Sequence, residues 1–126
     1  MIRYLYNQQV SPPAPFVHVA LRCPESSAER RWLPAQLDSA ASRSVLPLPL
    51  VAELGLVPVD EIQVEGLGGH LTTMPTFLVC IEIRQLLPLT VEVGGHENEP
   101  FVLIGRDIMN QFRIVLDGPG RALEIS

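Results

Sequence analysis

Leu37-Asp38-Ser39-Ala40-Ala41-Ser42 places a carboxylate and a hydroxyl at the end of an apolar run, inside a string of small residues that lets backbones approach closely. Taken alone, the segment reads equally as an Asx-type turn in which Asp38 caps its own backbone. Its weight comes from a second stretch, Phe101-Val102-Leu103-Ile104-Gly105-Arg106-Asp107-Ile108, which has the pattern of a buried strand, a glycine and the start of a short helix. The pair is far more specific than either part.

Outward from these two stretches, apolar residues recur with the period of two that marks half-buried strands. Val17, Val19, Leu21 and Cys23 face one way and His18, Ala20 and Arg22 the other; Ile62 and Val64 alternate with Glu61, Gln63 and Glu65. The same period runs through Phe77, Val79, Ile81 and Ile83, through Leu89, Val91 and Val93, through Phe112, Ile114 and Leu116, and through Leu123 and Ile125. An antiparallel, all-β chain is expected. Two short helices interrupt it. One runs from Pro47 to Leu54, with Ser44 or a neighbour as its cap and Gly55 ending it in the left-handed conformation; the other runs from Arg106 to Phe112. Trp32, near the strand that leads to Asp38, is read as packing.

With 126 residues, 47% of them hydrophobic, the chain has room for one domain over 1–126, its core at about 16–125 behind a proline-stiffened arm at 1–15. All nine basic residues are Arg, against fourteen acidic ones, for a net charge of −5. That balance argues against nucleic acid or an anionic membrane as partner. The most apolar stretch, Ser44 to Val59, is broken by Pro47, Pro49, Glu53 and Pro58, well short of the roughly 20 apolar residues that span a bilayer, and the first residues lack the pattern of a secretory signal. A cytoplasmic location is expected; Cys23 and Cys80 are too few for a disulfide framework and read as buried thiols, with one bridge between them as the alternative. No His or Cys pair has metal-ligand spacing, so no metal or other cofactor is expected.

Asp38-Ser39-Ala40-Ala41-Ser42 with the following Val45-Leu46-Pro47 and Leu54-Gly55-Leu56, then Leu103-Ile104-Gly105-Arg106-Asp107-Ile108 and Phe112-Arg113-Ile114, resembles the retropepsin-like aspartic proteases over roughly residues 16 to 125. The resemblance implies a small, closed, barrel-like all-β fold with one or two short helices, and an aspartic endopeptidase acting on a peptide or protein substrate. The chain holds one such Asp motif, whereas hydrolysis by carboxylates needs two at close range, so the resemblance implies a homodimer with one Asp38 from each subunit. Two carboxyl groups about 3 Å apart share one proton, and the pair acts as base and acid on a bound water.

By the same resemblance Ser39 supplies the hydroxyl that bonds across the dimer axis, and Gly105 packs beneath the catalytic loop. Ala40 departs from the family, which has Gly there; a strained or crowded Ala40 would leave a non-catalytic retropepsin-like module that dimerises and binds peptide. Glu65-Gly66-Leu67-Gly68-Gly69-His70 lies between two strand-like runs where the family has its flap, which assigns Gly66, Leu67, Gly68 and Gly69 to substrate binding; an ordinary glycine hairpin fits the same residues. Leu67, Val102 and Ile104 are expected as cleft walls. Retroviral relatives pair the residue matching Arg106 with an acid that here is Ser42, followed by Arg43; Asp107 is then left to pair with Arg106 or with Arg43, or Arg106 is a plain solvated charge. The terminal runs Ile2–Tyr6 and Ala122–Ser126 are expected to pair strands across the dimer.

Overall fold

The alternating runs become strands, and their inward residues are sealed: Val17, Val19, Ala35 and Val79 have no exposed surface. Each such aliphatic side chain larger than alanine stabilises the fold by roughly 1.5–3 kcal/mol relative to leaving it in water. The structure, a computed structural model, describes residues 1–26 and 31–126, Leu67 by its backbone alone. Its strands are β1 (Ile2–Leu5), β2 (Phe16–Arg22), β3 (Arg31–Leu37), β4 (Val45–Pro47), β5 (Pro58–Glu65), β6 (Leu71–Ile83), β7 (Leu89–His96), β8 (Val102–Ile104), β9 (Ile114–Asp117) and β10 (Ala122–Ile125). The helices are α1 (Leu48–Leu54) and α2 (Arg106–Met109).

Strands β2, β3, β8, β4, β7 and β6 follow one another in the larger sheet, and a further β2–β6 pairing closes them into a barrel. β6 is long enough to serve three partners. Its first half forms a hairpin with β5, from Glu65↔Leu71 to Pro58↔Phe77; its middle pairs with β7 and its end with β2. The hairpin turns through a 3-10 segment at Leu67–Gly69, where Gly68 and Gly69 take φ of 82° and 77°, angles that disfavour any side chain.

Not all pairings are antiparallel. β3 runs parallel to β8, with Leu37 opposite Ile104, and β4 runs parallel to β7, with Val45 opposite Gly94. These pairings join strands distant in sequence, and three-residue strands such as β4 and β8 are too short to announce themselves by alternation. They bring the two stretches that opened the sequence reading side by side.

The terminal strands meet within the chain. β1 pairs with β10 of the same chain, Ile2 opposite Ile125, and β10 pairs in turn with β9, so β10 is central and β1 and β9 hold the outer edges. α1 ends on Gly55 at φ 67°, as the sequence indicates, but no side chain caps its start; Ser44 is engaged elsewhere. Trp32 is 46% exposed and belongs to the surface rather than the packing.

Candidate active site

Asp38 leaves the end of β3 with its N–H donating to the Ile104 carbonyl at 2.9 Å, so the parallel β3–β8 pairing sets its position directly. The next residues fold back on the carboxylate. The Ala40 N–H donates to Asp38 Oδ1 at 2.9 Å, and the Ala41 N–H donates to the Asp38 carbonyl at 3.2 Å. This is the Asx geometry that the short polar segment allows, and it holds one oxygen of a half-buried carboxylate in place. Ala40 is not at a positive φ, so its backbone makes no demand for glycine. Ser39 and Ala40 are exposed, and the Ser39 carbonyl accepts a bond from Arg106 Nη1 at 2.8 Å.

Behind this loop lies a knot of polar groups centred on Ser44, only 1% exposed. Its hydroxyl accepts from the Gly105 N–H at 2.9 Å and donates to Asp107 Oδ1 at 2.7 Å, while its own N–H donates to Asp107 Oδ2 at 2.9 Å. Asp107 Oδ1 also accepts from the Ile108 N–H at 2.9 Å. Of the alternatives left open for Arg106 and Asp107, the structure shows neither an ion pair between them nor one from Asp107 to Arg43. With Ser42 in place of an acid, the Arg106 guanidinium turns to a backbone carbonyl, and Asp107 turns inward to satisfy buried donors. Gly105 closes the packing: a Cβ there would come within 2.8 to 2.9 Å of the backbone of Arg43 and Ala41, which only glycine avoids.

A cavity of about 670 Å³ opens beside the loop. Ala40, Ala41, Ser42 and Arg43 form its first wall, and Ile62, Val64, Glu65 and Gly66 of the hairpin form the facing one. Val45, Met74 and Leu103 add apolar surface, and His96 and Glu99 complete the rim. Gly66 thus reaches the cavity, whereas Gly68 and Gly69 stand further out at the hairpin tip; the Gly66 N–H donates to the His70 carbonyl at 2.9 Å and the Gly69 N–H to the Gly66 carbonyl at 3.2 Å. Of Leu67 only the backbone is described, within the tip.

Val102 and Ile104, expected as walls, are 3% and 1% exposed and belong to the core; Leu103 between them faces the cavity. The alternation along β8 carries that signal, since neighbouring residues of a strand point to opposite faces. Glu99 and His96 carry no local signal of a place at the site, and Ser44 read as a helix cap.

Burial pushes the Glu99 carboxyl up from the ordinary carboxylate range; His96 opposes the shift and the nearby Asp38 charge adds to it. Among the described residues, no group of three or more His, Cys, Asp or Glu side chains could hold a metal. Nor is any helix among them long and apolar enough to cross a membrane.

The fold is that of the retropepsin-like aspartic proteases. The EIAV protease, solved in complex with the inhibitor HBY-793, superposes with a TM-score of 0.60 at 20% identity, covering 80% of this chain and 89% of its own. A retropepsin-like aspartic protease from Rickettsia conorii gives a TM-score of 0.63 at 10% identity, covering 99% of this chain and 91% of its own. The simian foamy virus (mac) protease, solved in solution, gives 0.54 at 11% identity, over 76% of this chain and 92% of its own. No protein-family model and no curated protein matches the chain.

Proposed function

We propose that the chain is an aspartic endopeptidase that hydrolyses peptide bonds as a homodimer, with Asp38 of each subunit facing its counterpart across a two-fold axis. The observation that carries this reading is the Asp38 carboxylate, fixed by the Ala40 N–H beside a cavity of about 670 Å³. In the dimer the two carboxyls share one proton. The ionised oxygen takes a proton from a bound water as the water attacks the scissile carbonyl, and the protonated partner donates to the developing gem-diol oxygens.

Several features support the assignment of parts. Ser39 is exposed next to Asp38, free to bond across the axis. The β5–β6 hairpin serves as the flap, with Gly66 to Gly69 supplying the bending that closure over an extended peptide requires. The partner subunit joins at the outer edges of β1 and β9, where Leu5 and Leu116 are more than half exposed at 65% and 52%. No cofactor takes part. A reducing cytoplasm suits the free thiols of Cys23 and Cys80. Ala40 supports catalysis rather than its loss, because it keeps the N–H bond to Asp38 at an unstrained backbone angle.

The test is cleavage of a denatured, mixed peptide pool from about pH 4 to 7, with Asp38→Asn as matched control and molecular mass measured under the same conditions. The dimer is expected to cleave, and Asp38→Asn to lower the rate by about a thousandfold or more while staying folded and dimeric, as loss of a proton-transferring group demands. No cleavage by a verified dimer would reassign the chain to a non-catalytic peptide-binding module.

A further inference from the structure

The cavity beside Asp38 has an uneven charge. Among the described residues, its walls bear two carboxylates, Glu65 at the end of β5 and Glu99 in the loop between β7 and β8, against a single guanidinium, Arg43. That guanidinium is already matched: Arg43 Nη1 donates to the Glu92 carbonyl at 3.1 Å and lies 3.6 Å from Glu92 Oε2, which also accepts from Thr76 Oγ1 at 2.7 Å. Glu99 has no such partner. It is half-buried, makes no hydrogen bond or ion pair with any described residue, and lies near enough to Asp38 for the two charges to repel. His96 of the same loop accepts the Asn98 N–H on Nδ1 at 3.1 Å and attracts the Glu99 charge without hydrogen-bonding to it. The apolar side chains of Val45, Met74 and Leu103 line the same space, and they suit the methylene stem of a long side chain.

A half-buried carboxylate without a donor, in a cleft built for an extended peptide, is stabilised by whatever cationic group enters that cleft. We infer that Glu99 is a specificity-determining residue that selects Arg or Lys in the substrate, the stem packed on Leu103 and its neighbours and the cationic head at the Glu99 carboxylate. This deepens the proteolytic reading and rests on it for the peptide nature of the ligand.

Two arms separate the inference from the reading beneath it. In the first, wild type, Glu99→Gln and, as control, Glu97→Gln cleave the mixed peptide pool, and the cut sites are read by mass spectrometry. Glu97 is an exposed carboxylate of the same loop that does not line the cavity. Arg or Lys is expected to be enriched at one position within a few residues of the cut. The best basic substrate should exceed its citrulline twin about tenfold in kcat/KM, as one charge-assisted hydrogen bond provides. Glu99→Gln should bring that ratio to about one, and Glu97→Gln should keep it. In the second arm, Ac-Leu-Ala-Arg-Leu-Phe-amide and its citrulline twin are titrated into the full chain and binding is followed by amide shifts of residues 96–105.

Cleavage without a basic preference, or a preference that survives Glu99→Gln, overturns the inference and leaves the protease standing. Absence of cleavage refutes the protease, and the binding arm then decides the site. Tighter binding of the Arg peptide that Glu99→Gln abolishes upholds it; equal or undetectable binding of the two peptides overturns it.

Discussion

The loop after β3 and the β5–β6 hairpin border one cavity, but they are held in opposite ways. Residues 38–44 are stitched to residues 104–108 by bonds from Asp38, Gly105, Arg106 and Ser44, and the two backbones are too close at Gly105 for a single methyl group. Among the described residues, the hairpin tip is held by bonds within itself, Gly66 to His70 and Gly69 to Gly66, and its described outer residues lie in solvent. One wall is braced from behind by the core; the other stands on two strands. A reacting carboxylate must keep its place to within a fraction of an ångström, whereas an element that admits and releases a peptide must open at little free-energy cost.

Substitutions in the two walls break or sharpen this contrast. The largest effect is expected from Gly105→Ala, whose methyl group would meet the backbone of Ala41 and Arg43. Denaturant unfolding should show a loss of about 3 kcal/mol, the range of overpacking against a backbone that cannot yield. An unchanged midpoint would mean that the loop retreats easily and that the first wall is not rigid. In the hairpin the same type of change acts through backbone angle alone. Gly68 has φ of 82° and only the His70 ring near its missing Cβ, at 3.6 Å, so Gly68→Ala should lower stability by about 1 kcal/mol or less. A loss equal to that of Gly105→Ala would erase the distinction.

The smallest effect concerns the rim, and its sign follows from the raised carboxyl of Glu99. The folded chain holds that proton more tightly than the unfolded chain, so the Glu99 contribution to stability is most favourable below the ordinary carboxylate range and is lost as pH rises through the raised value. Glu99→Gln should therefore melt slightly higher than wild type at neutral pH and equally at about pH 3.5, below the ordinary carboxylate range. A variant that melts lower at neutral pH would reveal a partner for Glu99 and remove the ground for its role in selecting basic side chains.

Much of the fold could be read from alternation, because a strand with one face in the core must place apolar residues at every second position. β2, β5, β6, β7 and β10 carry that pattern, and Gly55 announced the end of α1 by the same kind of local rule. The site was legible only in part. Asp38 stood out through its small neighbours and through the distant Gly105 stretch, yet Ser44 read as a helix cap and proved to be the buried centre that ties Gly105 and Asp107 together. Adjacency in sequence left the partners of Arg106 and Asp107 open; the barrel gave Arg106 the Ser39 carbonyl and Asp107 the buried Ser44.

What the sequence by itself determined is the β character, the two short helices and the residues able to do carboxylate chemistry, since these depend on local periodicity and side-chain type. Tertiary structure alone decided that β3 lies parallel to β8, that the terminal strands pair with each other, and that Glu99 lines the cavity with no hydrogen bond to any described residue. Those facts arise from pairings between residues up to the full length of the chain apart. Local sequence does not encode them, because they depend on which surfaces remain when the core has closed.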